Sequence, residues 1–148
     1  MISIDWPIFL SWATGVIVVG FLLVWGIKRL VWRLRGREIH GLDRKEIKRR
    51  WQEIEALLTQ NSEMAGKLAI IEADKLFDHV LRFAYFPGDD MGQRLRAAAS
   101  TYPSLKSIWW AHLLRNRLVH ETNARISMGE ARKALGIFEK GLKQLGML

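Results

Sequence analysis

From Trp6 to Ile27 the chain reads WPIFLSWATGVIVVGFLLVWGI, 22 residues without a charged side chain. As a helix that run spans roughly 33 Å at about 1.5 Å per residue, enough for a bilayer core of about 30 Å. Trp6 lies at one end and Trp25 and Trp32 near the other, the interfacial depths that indole rings favour. Lys28, Arg29, Arg33, Arg35 and Arg37 follow at once. A cleaved signal peptide would carry basic residues before the apolar run and a small-x-small site after it, and neither is present. A core helix of a soluble domain is disfavoured by the length and the abrupt basic flank. The pattern predicts a single transmembrane helix over 6–27, with a short extracytoplasmic stretch at 1–5. Basic residues on its C-terminal side place the rest of the chain in the cytoplasm. The expectation is a single-pass protein of the cell membrane.

Residues 28–42 read as a basic juxtamembrane linker, either a topology signal alone or also a patch for anionic lipid headgroups. From 43 to 148 the polar and apolar positions follow a helical period. Asp43 with Glu46 predicts a capping box, and Ile47, Trp51, Ile54 and Leu58 recur at helical spacing behind it. After the turn at Asn61-Ser62 a second helix is expected from about Glu63 to Tyr85. Ile70, Ala73, Phe77, Val80, Leu81 and Ala84 form one apolar face, while Leu68, Ile71, Leu76 and Phe83 fall roughly opposite. A helix apolar on two sides is central in a bundle or shared with another chain. Pro87-Gly88 ends it. Asp89 or Asp90 caps a short third helix through Ala99, broken by Thr101-Tyr102-Pro103. Ser104 is expected to cap a fourth helix to about Val119. Ser127 with Glu130 predicts another capping box, opening a last helix with Ala131, Leu135, Phe138 and Leu142 inward. No run alternates as a strand does, so the predicted fold is an all-α bundle of about five helices behind a transmembrane segment.

The net charge of +8 is uneven, because Lys28 to Arg50 carries ten Lys/Arg against three Asp/Glu. The remaining bundle is close to neutral, which disfavours a broad basic surface for duplex DNA. The absence of cysteine excludes disulfide scaffolds, thiolate zinc sites, iron–sulfur clusters and Cys nucleophiles. The four histidines lack the HExxH spacing of a helical zinc site, and there is no glycine-rich phosphate loop or Rossmann fingerprint. No cofactor and no metal are expected.

The fourth helix carries the chemistry. Trp110, Ala111, Leu114 and Leu118, with small Ser107 among them, are expected to pack on the bundle. The other side carries Trp109, His112, Asn116 and His120, with Leu105 among them, Leu113 and Val119 at the edges, and Arg115 and Arg117 flanking. Such a stripe is unlike a solvated face. Either a second subunit covers it in a two-fold contact, with Trp109, His112 and Leu113 at the interface, or this side is core and its polar groups are satisfied inside. The first reading explains the stripe better.

RNRLVH, Arg115 to His120, resembles the Arg-x4-6-His signature of the HEPN superfamily, including the Asn directly after the Arg. KLAIIEADKLFDHVL on the preceding long helix and WWAHLLRN before the motif add to the likeness, which covers Lys67 to about Leu148. The chain looks like the small bacterial members with an N-terminal membrane segment. Competent HEPN domains are metal-independent endoribonucleases that work as dimers, with the two motif helices facing each other. The resemblance implies that His120 moves the proton of a ribose 2′-OH or of the leaving oxygen. It implies that Arg115 stabilises charge on the phosphate, that Asn116 orients the substrate or His120, and that the substrate is single-stranded RNA. Imidazole titrates near neutral pH and guanidinium offers a fork for phosphate oxygens, so the residue types suit the task. Positions five apart on a regular helix diverge by about 140°, so Arg115 and His120 of one chain do not stand side by side, and a composite site across two subunits is one solution. Other HEPN domains are non-catalytic dimerisation or RNA- and nucleotide-binding modules. In that alternative Arg115 and His120 hold the dimer, for example with Glu121 or Glu72. Glu72, Asp74 and Asp78 read as a solvated edge or as partners for Arg, and His40 and His79 have no neighbour suggesting a role.

Overall fold

The computed structural model describes Gly20, Leu22, Leu23, Trp25 and residues 42–148. The chain divides into two units, Met1–Arg37 and Glu38–Leu148. In the first, the four described residues are helical and exposed. The rest of the expected membrane helix and the basic residues Lys28, Arg29, Arg33, Arg35 and Arg37 lie outside the described residues. Among the described residues no helix is long and apolar enough to cross a membrane.

In the second unit, the described residues 42–148 form an all-helical bundle: α1 (Arg44–Leu57), α2 (Glu63–Phe83), α3 (Met91–Thr101), α4 (Ile108–His120) and α5 (Met128–Gln144). Short 3-10 turns, Leu58–Gln60 and Pro103–Ser107, precede α2 and α4. The helix starts follow side-chain capping. Ser62 accepts from the Ala65 N–H at 3.2 Å, Asp90 from the Gln93 N–H at 2.8 Å, and Ser127 from the Glu130 N–H at 3.2 Å. Glu130 accepts back from the Ser127 N–H at 2.9 Å, completing the expected box. The box expected at Asp43 is only half made. Asp43 accepts from the Lys45 N–H, but Glu46 turns down its own helix to Arg49 at 2.7 Å, which a salt bridge favours over capping. Ser104 is not a helix cap either. Pro103 opens a 3-10 turn in which the Leu105 N–H bonds Tyr102 O at 2.9 Å, and regular α-helix begins only at Ile108.

The helix expected to be central is central: α2 packs against α1, α3, α4 and α5. Ile70, Ala73, Phe77, Val80 and Leu81 are fully buried, and so is Leu76 from the opposite side, whereas Leu68 stays 45% exposed. Phe77 meets Phe138 of α5 with ring centroids 5.8 Å apart. Gly141 lets α5 close on this centre, because a Cβ there would stand 2.7 Å from both Phe77 and Ile108.

The inward face of α4 differs from the expected one. Ile108, Ala111, His112 and Leu114 are buried, Leu118 is half-buried, and Trp110 is 37% exposed. Lys133 of α5 stands over the Trp110 ring, its Nζ 4.3 Å from the centroid. Ile108, at the helix start, is fully buried and draws the inward arc roughly 70° round the wheel from the Trp110–Leu118 stripe. That rotation takes Trp110 to the rim and His112 and Arg115 toward the domain.

Candidate functional site

A cleft of about 450 Å³ opens between α2, the start of α3 and α4. Asp74, Lys75 and Asp78 line it from α2, Asp90, Met91 and Gly92 from the α3 start, and His112, Arg115 and Asn116 from α4. Three side chains of the sequence-predicted stripe and motif therefore meet in one place. His112, expected at a subunit contact, is instead 8% exposed inside its own domain. Its Nδ1 lies 2.8 Å from Asp74 Oδ1, a buried bond between helices α2 and α4. For His112 the reading in which the polar groups are satisfied within the bundle is the correct one, because Asp74 waits opposite it.

The hydrogen-bond directions around this pair follow from chemistry. Arg115 can only donate, so its Nη1, 3.0 Å from Asn116 Oδ1, identifies that atom as the amide acceptor. Asn116 Nδ2 is then the donor to His112 Nε2, at 3.3 Å. A ring whose Nε2 accepts carries its proton on Nδ1, and that proton is donated to Asp74. Arg115 Nε returns to Asp74 Oδ2 at 3.4 Å, an ion-pair distance, and is buried without a hydrogen bond of its own. Asp74, His112, Asn116 and Arg115 thus form a closed ring of polar groups with the guanidinium, about a quarter exposed, on the cleft side.

A second ion pair firms up the wall. Arg94 of α3 donates to both oxygens of Asp78 at 2.8 and 3.1 Å and to Gly88 O at 2.6 Å, and Arg82 shares Asp78 at 3.1 Å. Glu72, by contrast, pairs with Lys75 at 2.7 Å on the exposed side of α2. Among the described residues no three His, Asp or Glu side chains are grouped to hold a metal ion.

The other predicted residues lie around the cleft. Trp109 is half-buried, edge-on to the His112 ring at 6.1 Å, with the Arg96 guanidinium 5.9 Å from its own centroid. Leu113 is 59% exposed. His120 is exposed at the last turn of α4 and does not line the cleft, so one chain does not bring Arg115 and His120 together. His79 packs on Phe83 at 4.7 Å, and burial, followed by Arg50 and Arg82, lowers its pKa.

Asp74 is the functional-site residue that sequence reasoning undervalued. On a wheel it falls about 40° from Ile70, on the same arc as Phe77 and Leu81. A carboxylate in the middle of a core stripe, rather than at its edge, is the signal of a buried pair.

No protein-family model matches the chain, and no curated protein or solved structure is significantly similar to it.

Proposed function

We propose that this is a membrane-tethered HEPN-like protein whose helical domain dimerises through α4 and cleaves single-stranded RNA without metal. The observation that carries the reading is the division of the motif. Arg115 and Asn116 stand at a cleft wide enough for a phosphodiester, while His120 is exposed at the helix end, where a second copy can present it. In this reading Arg115 holds the phosphate, and His120 of one chain moves the 2′-OH or leaving-group proton at the Arg115 of the other. Leu113 and the open edge of Trp109, next to the motif, would lie in that contact. The uncharged run 6–27 and its basic flank support an anchor with the domain in the cytoplasm.

A second reading has its own support. Arg115 is already engaged by Asp74 and Asn116, as a structural residue would be, which favours a non-catalytic dimerisation or RNA-binding module.

Two measurements separate them. The full chain in detergent is expected to cut RNA in EDTA and leave 2′,3′-cyclic phosphate ends. His120→Ala, at an exposed residue, should lower the rate by about 100-fold or more with helicity unchanged. Cutting that needs magnesium or survives His120→Ala excludes this mechanism. A reporter fused after Leu148 should be active on the cytoplasmic side only, and activity outside would reverse the topology.

A further inference from the structure

The polar ring beneath the cleft does more than fill space. Its hydrogen bonds run in one sense, from Arg115 to Asn116 to His112 to Asp74, and that sense exists only while His112 Nε2 is unprotonated. We propose that His112 positions Arg115 through Asn116: the neutral imidazole, anchored by Asp74, keeps the Asn116 oxygen on Arg115, and a protonated imidazole turns the amide over and releases the guanidinium toward a phosphate in the cleft.

Protonation of Nε2 removes the acceptor that Asn116 Nδ2 uses. Rotating the amide presents Oδ1 to the new N–H, but it also turns Nδ2 toward Arg115 Nη1, donor against donor, so that contact is lost. Charge runs the same way. Asp74 and Arg115 balance each other around a neutral ring. An imidazolium makes the three-group cluster net positive and draws the Asp74 carboxylate away from Arg115, whose Nε is held there by charge alone at 3.4 Å. Few other charges facing the ring are free to answer it. From α2, Asp78 is occupied by Arg94 and Arg82 and Lys75 by Glu72. From the α3 start, Asp90 caps its own helix, and Arg96 of α3 lies over Trp109. The added positive charge is therefore met by an anion entering the cleft, and binding of phosphate takes up a proton. The ligand class rests on the ribonuclease reading; the coupling between His112 and Arg115 does not.

The coupling is read on the full chain, labelled with 15N and purified in detergent, with inorganic phosphate as the probe. At pH 8 the His112 ring should show the Nδ1–H tautomer. On acidification the Arg115 side-chain signals should shift with the same midpoint as the His112 ring. In Asn116→Leu, which keeps the branched shape and removes the relay, most of the Arg115 shift at that midpoint should be lost, leaving only the part carried by charge through Asp74. Phosphate should bind the wild-type chain several-fold more tightly at pH 5.5 than at pH 8, and most of that ratio should vanish in Asn116→Leu. An Nε2–H tautomer at pH 8, or an Arg115 response of undiminished size in Asn116→Leu, overturns the relay. Since tautomer and coupling are measured without RNA, a chain that cuts no RNA but behaves this way sinks the ribonuclease reading alone. A chain that cuts RNA with the wrong tautomer sinks only the relay.

Discussion

Phe77→Ala is expected to destabilise the helical domain by roughly 3–5 kcal/mol, the range for emptying a fully packed aromatic site. Phe77 is wholly buried at the point where α2, α4 and α5 converge. Its ring touches Phe138, and it occupies the space that Gly141 leaves open. The neighbours are poorly placed to collapse into the hole, because Phe138 and Ile108 are themselves fully buried on two other helices that meet α2 at this ring. Such a loss is a large share of the total stability of a domain of this size. Urea unfolding followed by circular dichroism measures it. A loss under about 1 kcal/mol would mean that the core is not organised around this ring.

Asp74→Ala should cost roughly 2–4 kcal/mol, with a mechanism opposite to the first: no cavity of note, but stranded polar groups. Without the carboxylate the buried His112 Nδ1–H loses its acceptor and Arg115 its counter-charge, while the imidazole that aligns the Asn116 amide loses its anchor. Asp74→Asn keeps the shape and an acceptor for His112 but removes the charge, so it should recover part of the loss. Denaturation of both variants beside the wild-type chain tests the order. Equal stability of Asp74→Ala and wild type would show the pair to be incidental. The same variants bear on function, because the position of Arg115 in the cleft depends on this carboxylate.

Most of the helical layout was legible in the residues, because its causes are local. Ser62, Asp90 and Ser127 start their helices through bonds to N–H groups three residues on, and such bonds need nothing from the rest of the chain. The periodicity of α2 and α5 likewise announced Ile70, Phe77, Leu135, Phe138 and Leu142 as core. The two misread caps show the limit of local rules. At Glu46 an arginine three residues on competes for the carboxylate, and at Ser104 the proline before it favours a 3-10 turn.

The orientation of α4 was decided elsewhere. Its apolar and polar positions are spread so evenly around the wheel that several inward faces are compatible with its composition. Ile108 meeting the Gly141 gap, and Asp74 standing opposite His112, select one of them. The residues themselves determined that the domain is helical, where its helices begin, and that Arg115, Asn116 and His120 share the helix of the motif. Only the packing of α2 against α4 decided that His112 is interior, that Arg115 lies at a cleft and that His120 lies away from it. Helix formation follows from bonds spanning four residues, whereas the partner of a buried charge, 38 positions away in the chain, is chosen only when two helices meet.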